Sequence, residues 1–507
     1  MAVNQLKAGA ILSYVVLGVN TLVGLLYIPY MLRIMGQSEY GLYALVASVI
    51  AYLTILDAGF GNAIIRYTAK YRAEGKSEEQ YSMFGMFIIL YSIIGVIAIL
   101  AGYGLYTNVD TMFGSSMNVE ELEKARVMIA IMIFNLAITF PLSIFGSIIT
   151  AYEDFIFQKV IQIVRIILNT ITMVVLLKLG YRAIGMVVLA TIFNFGTLFL
   201  NVWYSIYKIK IKIYFKKFQW GFLKEISIYS FYIFLNVIMD RIYWSTGQFV
   251  LGAFVGTAAI AVFAVAIQLQ QMYMSFSTAI SGVFLPKVTA MVSQMQSSKA
   301  ISDLFIRTGR IQYVVMVFIL TAFILFGNQF VILWAGKDYE DVYIISLLFF
   351  IPLTIPLIQN LGITILQARN QMKFRSLVYI VIAVLSLGLQ IPLAKIYGEI
   401  GVAIGISSAL VLGQIIVMNI YYYKCQEIDI PKFWKEIGKM TIVPLIIGFL
   451  THLLLSYILL DTNFKFGVGV ILFTLFYTPL FWFTSMNQYE RDLLSKPILG
   501  IYKKIMF

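Results

Sequence analysis

Residues 40–72 read YGLYALVASVIAYLTILDAGFGNAIIRYTAKYR. The apolar run 40–65 is long enough to cross a hydrocarbon core about 30 Å thick, which takes roughly 20 helical residues. It carries one carboxylate, Asp57, and closes on Arg66, Lys70 and Arg72, with Lys76 just beyond. Cations collected at one end of such a run mark the end that stays cytoplasmic. The stretch therefore reads as a crossing helix descending into a basic cytoplasmic exit.

The rest of the chain repeats this theme. Of 507 residues, 61% are hydrophobic and 12% charged, about half the charged share of a soluble domain. Fourteen apolar runs follow one another, from 8–32 and 40–65 to 439–460 and 465–485. The expectation is an all-α polytopic membrane protein with 14 transmembrane helices. The first run is too long for a signal h-region and lacks a small-residue cleavage site, so it reads as a retained helix.

Orientation follows from the cations. Counting those at span ends with the nearer side, alternate connections hold 27 of the 37 Lys and Arg on one side and 8 on the other. The richer side is cytoplasmic by the positive-inside rule, so both termini are expected there. The net charge of +13 is then a topology signal and a contact with anionic membrane lipids. It does not indicate a nucleic-acid partner.

An internal repeat emerges on sliding the sequence. At an offset of 220, GQSEYGLYALV (36–46) falls on GTAAIAVFAVA (256–266), Gly36 on Gly256. At 217, AYEDFIF (151–157) falls on ARNQMKF (368–374) and Lys178 meets Lys395. At 216, Gly185 meets Gly401 and Lys208 meets Lys424. Six spans per repeat, an even number, give two parallel six-helix repeats plus two C-terminal helices. Parallel repeats place a central site between the halves. The expected organisation is an N-terminal lobe over 1–207, a basic cytoplasmic linker over 208–224 and a C-terminal lobe over 225–424. Two additional helices and a basic cytoplasmic tail complete it over 425–507.

Covalent chemistry finds no support. The GKS at 75–77 has Lys70 where a phosphate-cradling loop needs glycine, and GFG at 59–61 lacks the third glycine of a dinucleotide turn. A single cysteine, Cys425, and a single histidine, His452, exclude an internal disulfide and zinc motifs built on paired cysteines or histidines. The expectation is a protein that is not an enzyme and holds no metal.

Charges inside spans are the remaining functional signal, since each costs about 2.5–3.5 kcal/mol at a helix centre. Asp57 reads as a coupling-ion site or as a salt-bridge anchor between helices, with Gly61 one turn on sharing its face. Asp240 and Arg241 are adjacent and so do not face each other on a helix. Arg241 must look to another helix or to a cavity, where its fork matches phosphate oxygens. Arg165 reads either as a cavity cation or as a side chain snorkelling to the cytoplasmic face. Gln268 and Gln271, three apart, suit sugar hydroxyls or helix–helix contacts. Pro352 and Pro356, followed by Gln359, mark a broken tenth span. His452 reads as a packing residue.

The LDAGFGNAIIRYTAKYR stretch (56–72), the preceding GQSEYGLYALV and the six-plus-six-plus-two plan resemble polysaccharide flippases of the O-antigen (Wzx-type) branch of the multidrug/oligosaccharidyl-lipid/polysaccharide exporter superfamily. The resemblance implies two six-helix lobes and alternating access in a bacterial cytoplasmic membrane. Its implied substrate is an undecaprenyl-pyrophosphate-linked oligosaccharide moved from the inner to the outer leaflet. It further implies a cavity lined by the first two helices of each lobe, which places Asp57, Arg66, Asp240, Arg241, Gln268 and Gln271 on cavity helices. The candidate substrate-binding residues are Arg66, Asp240, Arg241, Gln268 and Gln271, with Arg165 on the fifth span added from its charge alone. Asp57 is the candidate for Na+ or H+ coupling, with no other cofactor, and a glycan polymerase is the implied partner machinery. The rivals are a cation-coupled drug antiporter and a lipid II flippase of the same superfamily, and, from another class, a membrane glycan polymerase.

Overall fold

A computed structural model describes residues 5–57, 59–215, 220–281, 288, 290–292, 294, 296–369, 371–455, 462–493 and 495. Segments 216–219 of the linker, 456–461 before the last helix and the tail from 496 lie outside them. The chain is an all-α polytopic membrane protein, and among the described residues eleven helical stretches are long and apolar enough to cross a bilayer. In chain order the helices are α1 Gln5–Leu53, α2 Phe60–Ala73, α3 Ser77–Thr107, α4 Val109–Phe113, α5 Val119–Ala151, α6 Phe155–Lys178, α7 Ala183–Trp203 and α8 Trp220–Phe254. They continue as α9 Thr257–Ser281, α10 Ser298–Trp334, α11 Val342–Ile358, α12 Leu361–Ala368, α13 Met372–Leu410, α14 Met418–Lys424, α15 Ile430–Leu455 and α16 Asn463–Thr484.

Two stretches are of double length, and each is broken by one glycine: Gly36 in α1 (φ 76°) and Gly398 in α13 (φ 57°). Splitting these two raises the eleven stretches to thirteen, and α8, which is not among the eleven, would make the fourteenth crossing expected from the sequence. Positive φ is where an L side chain is strained and glycine is not. The internal repeat pairs Gly36 with Gly256, which shares the property, while Gly180 falls one residue short of the position that the offset of 217 assigns to Gly398. Gly256 has φ 129° and Gly180 has φ 89°. The pattern extends to Lys210 (φ 62°) and Glu427 (φ 55°), each just after the last helix of its repeat. Matched backbone reversals at matched junctions support the duplication.

The chain forms two compact units, Met1–Ala264 with Leu387–Val402, and Val265–Ser386 with Ala403–Phe507. In the first, α5 packs on α3 and α7, while α1 packs on α6 and α8. Its Gly36 turn is fastened by charges. Glu39 accepts from Lys124 Nζ at 2.6 Å and from the N–H of Ala183, the first residue of α7, at 3.2 Å. A carboxylate at a helix N-terminus meets unsatisfied N–H groups and the positive end of the dipole. On α5, Glu121 caps its own helix with Asn118 and accepts from Ser38 and Thr257. A Cβ at Gly41 would lie 1.8 Å from the Thr257 carbonyl oxygen, so glycine permits this backbone approach. The GQSEYG segment is thus a latch.

The described part of the linker is anchored. Ile211 is buried, and the Tyr214 N–H donates to the Tyr81 carbonyl at 3.1 Å while their rings meet edge to face. Lys208, Lys210 and Lys212 stay exposed. The linker is thus pinned to α3 with these lysines on its exposed side.

In the second unit, α10 packs on α11, α15 and α16. Arg310 in α10 is 7% exposed, and its Nε and one Nη donate to both oxygens of Glu490, itself 1% exposed, at 2.6 and 3.1 Å. The other Nη donates to Glu436 at 3.0 Å. This fork clamps the two C-terminal helices to α10. The tenth span is broken as expected. α11 ends after Pro356, and the buried Gln359 exchanges amide hydrogen bonds with Asn419, which also accepts from Trp434 Nε1.

Two outcomes test this arrangement. Breaking a buried ion pair costs about 3–5 kcal/mol because the remaining charge is stranded. Arg310→Ala should therefore destabilise the detergent-solubilised protein by that order in a denaturation curve, and Arg310→Met with Glu490→Met should recover most of the loss. For orientation, the exposed Cys425 at the end of α14 should react with a membrane-impermeant maleimide in inverted vesicles and not in intact spheroplasts. The reverse labelling would invert the topology.

Candidate functional site

The break that follows α1 organises the first unit's candidate site. Residues Thr54–Asp57 tighten into a 3-10 turn, Gly59 takes φ 73°, and α2 starts anew at Phe60. The sequence reading placed Asp57 and Gly61 on one continuous helical face. The structure instead puts Asp57 at an elbow, because Gly59 permits a reversal that a single helix would not.

Asp57 Oδ1 accepts from the Tyr91 hydroxyl at 2.7 Å, with the Gly59 N–H as a further donor. Tyr91 is fully buried and stacks on Phe140. Among the described residues, no cation pairs with Asp57. The carboxylate is held by neutral donors, which fix the elbow. Tyr91, alone in an apolar run, was legible only once its partner was known.

Beyond the elbow, α2 sorts its faces. Phe60, Ala63, Ile64, Tyr67 and Thr68 are buried, while Asn62, Arg66 and Lys70, at i, i+4 and i+8, form an exposed polar stripe. The Arg66 and Lys70 head groups lie 5.8 and 5.9 Å from the centre of the Tyr67 ring. Arg72 is different. It donates to the Ala151 carbonyl at 2.9 Å, at the end of α5, and covers the Tyr152 ring at 4.0 Å. Of the basic exit, Arg72 is therefore spent on structure, and Arg66 and Lys70 face outward.

α2 packs on α8, which carries the exposed Asp240 and the half-buried Arg241. Arg241 makes no hydrogen bond or ion pair among the described residues, and the same holds for the half-buried Arg165 on α6. Gln268 and Gln271 sit on α9 in the second unit, half-buried and exposed respectively, and neither bonds to a described residue. The opposite face of α9 is used for packing, with Tyr273 bonded to Thr354 at 2.7 Å. His452 is exposed on α15. The structure thus gathers Asp57, Arg66, Asp240, Arg241 and Arg165 in the first unit and the two glutamines in the second.

A feature not read from sequence lies in the first unit between α1, α8 and α13. A cavity of about 560 Å³ is lined by Val49, Tyr52, Ile242, Phe249 and Leu387, with Thr246 bonded to the Tyr52 hydroxyl. Its walls are almost wholly apolar. No group of three or more His, Cys, Asp or Glu able to hold a metal occurs among the described residues.

The fold is shared with known transporters. The lipid II flippase MurJ in an inward closed conformation superposes with a TM-score of 0.74 at 18% identity, covering 96% of this chain and 99% of that one. An inward-facing multidrug resistance MATE family transporter of the MOP superfamily gives 0.65 at 15%, covering 84% and 99%. A MOP superfamily transporter from Pyrococcus furiosus, described by a reversed polarity of its binding pocket, gives 0.56 at 14%, covering 83% and 96%. No curated protein sequence matches the chain. The family itself is fixed by sequence: residues 6–292 match the model of the polysaccharide biosynthesis protein family, and the chain belongs to it.

The Asp57 geometry has a direct test. Asparagine can still accept from Tyr91, so Asp57→Asn should retain at least half of the protein's transport and its thermal stability. Tyr91→Phe should cost about 1.5–3 kcal/mol, as for a hydrogen bond to a charged group. Loss of transport in Asp57→Asn with stability intact would assign the carboxylate to ion coupling.

Proposed function

We propose that the protein is a flippase that carries a polyprenyl-pyrophosphate-linked oligosaccharide from the inner to the outer leaflet of a bacterial cytoplasmic membrane. The reading is carried by one observation: Arg165 and Arg241 lie half-buried on helices of the first unit with no acid paired to them among the described residues. A guanidinium held away from water and left unneutralised by the protein suits an anionic ligand, and its fork matches phosphate oxygens. The exposed Asn62–Arg66–Lys70 stripe extends the same polarity toward the cytoplasmic end of α2. Gln268 and Gln271 offer amides to sugar hydroxyls.

This polarity argues against an exporter of cationic drugs, which calls for an available carboxylate. Asp57 is already occupied by Tyr91 and Gly59. A lipid II flippase would use the same chemistry and differs only in the glycan. In the proposed mechanism the pyrophosphate and sugars cross by alternating access while the polyprenyl tail stays in lipid. Outward movement of the anionic head down an inside-negative potential gains about 2.3 kcal/mol per charge per 100 mV. The potential then drives transport without ion coupling through Asp57, whose carboxylate is engaged by Tyr91 and Gly59. Hand-over to a glycan polymerase on the outer face completes the scheme, and the chain itself performs transport rather than catalysis.

The deciding experiment determines which leaflet holds lipid-linked glycans in cells lacking the protein. Completed units should collect on the cytoplasmic side and be released by the wild-type chain. Arg241→Ala should restore transport at least tenfold less well, the scale of a lost charge-assisted hydrogen bond of about 1.5–3 kcal/mol. Units that reach the outer leaflet normally but never polymerise would overturn the proposal in favour of a polymerase. Unchanged lipid-linked glycan would overturn it in favour of a drug exporter.

A further inference from the structure

The second unit contains a buried cation that the proposed transport path does not use. Arg375, in the first turn of α13, is 9% exposed and lies over the Tyr379 ring at 4.4 Å. Its Nε is buried with no acceptor, and no carboxylate pairs with it among the described residues. Ring stacking orients a guanidinium and contributes modestly, but it does not replace a counter-charge. A buried charge without one is strongly destabilising.

Its surroundings add positive charge. Arg369, six residues earlier, donates through Nη1 to the Gln426 carbonyl at 2.9 Å and to Gln426 Oε1 at 3.0 Å. Gln426, 1% exposed, is itself fixed by Gln371 Oε1 at 2.7 Å and the Tyr421 hydroxyl. Neutral partners thus position Arg369 without neutralising it. Lys373 lies between the two arginines in sequence and is exposed. The nearby acids in sequence are engaged elsewhere: Glu427 accepts from Ser298 at 2.6 Å, and Asp429 caps the backbone of Lys432.

The helix above the cations supplies the other half of a lipid site. Phe374, Leu377, Val381 and Val384 form an exposed apolar ridge along α13, at the i, i+3, i+7 and i+10 positions of one face. Phe374 is stacked on Tyr421, next to the Gln426 clamp. In the orientation read from the cation bias, the 369–375 segment lies at the level of inner-leaflet headgroups. We propose that Arg375 and Arg369 form a specific site for the phosphate of an anionic phospholipid of the inner leaflet, with an acyl chain lying on the Phe374–Val384 ridge. The site is independent of the transported substrate.

The test uses the full chain purified in detergent, with phosphatidylglycerol, phosphatidylcholine and inorganic phosphate as probes, read by native mass spectrometry and by melting temperature. Wild-type protein should retain one phosphatidylglycerol through delipidation. Its melting temperature should rise with added phosphatidylglycerol, and far less with phosphatidylcholine or inorganic phosphate. Arg375→Gln and Arg369→Gln should each weaken phosphatidylglycerol binding at least tenfold, whereas Lys337→Gln, at an exposed lysine just after α10, should not. If Arg375→Gln does not fold, Arg369→Gln and the wild-type delipidation series still decide. Equal retention by the folded arginine variants, equal response to phosphatidylcholine, or a response to inorganic phosphate alone would each overturn the proposal. Because no step involves a glycan, its failure leaves the flippase reading standing, and the reverse also holds.

Discussion

In hydrocarbon every backbone N–H and C=O must find its partner within the protein. This requirement governs the whole molecule. It forces the apolar runs into helices and confines backbone reversals to a few positions where glycine removes the strain. Gly36, Gly59 and Gly398 carry the reversals that interrupt otherwise continuous helical runs. The breaks in α1 and α13 are therefore where the chain turns between apolar runs, with glycine removing the strain of positive φ.

The same constraint divides the buried charges into two kinds. Glu39, Arg310 and Asp57 are answered by the protein itself: by Lys124 and a helix N-terminus, by Glu490 and Glu436, and by the Tyr91 hydroxyl. These contacts hold the Gly36 turn, the C-terminal helices and the α2 elbow in place. Arg165, Arg241 and Arg375 are not answered by an acid among the described residues. The two kinds of arginine differ in their neighbours rather than in their sequence context, and the proposals above rest on the second kind.

Membership of the polysaccharide biosynthesis protein family and a fold shared with MurJ and MATE transporters give this polarity a setting. The family rests on sequence over residues 6–292, and the fold on architecture at identities below one in five. Within that architecture, the repeat expected from the sequence is supported by the positive φ shared by Gly36 and Gly256. Side chains diverged between the halves more freely than the turn geometry did, because a turn in the wrong conformation costs the packing of two helices at once.

The all-helical membrane architecture, the cation bias and the repeat were determined by sequence alone, because each depends on composition summed over twenty residues or more. The candidate charges were legible too, since a carboxylate or guanidinium in an apolar run stands out wherever it points. Their roles were not. Asp57 read as part of a continuous helix, and only the Gly59 reversal and a tyrosine 34 residues away showed it as a braced elbow. Arg310 gave no sign of its clamp, whose partner lies 180 residues further on. Arg66 and Arg72 looked alike in the basic exit and both are exposed, yet Arg72 is fixed to the Ala151 carbonyl at the end of α5. Pairing depends on which side chains the tertiary structure brings within about 3 Å, a distance at which hydrogen bonds form, and no local pattern encodes that.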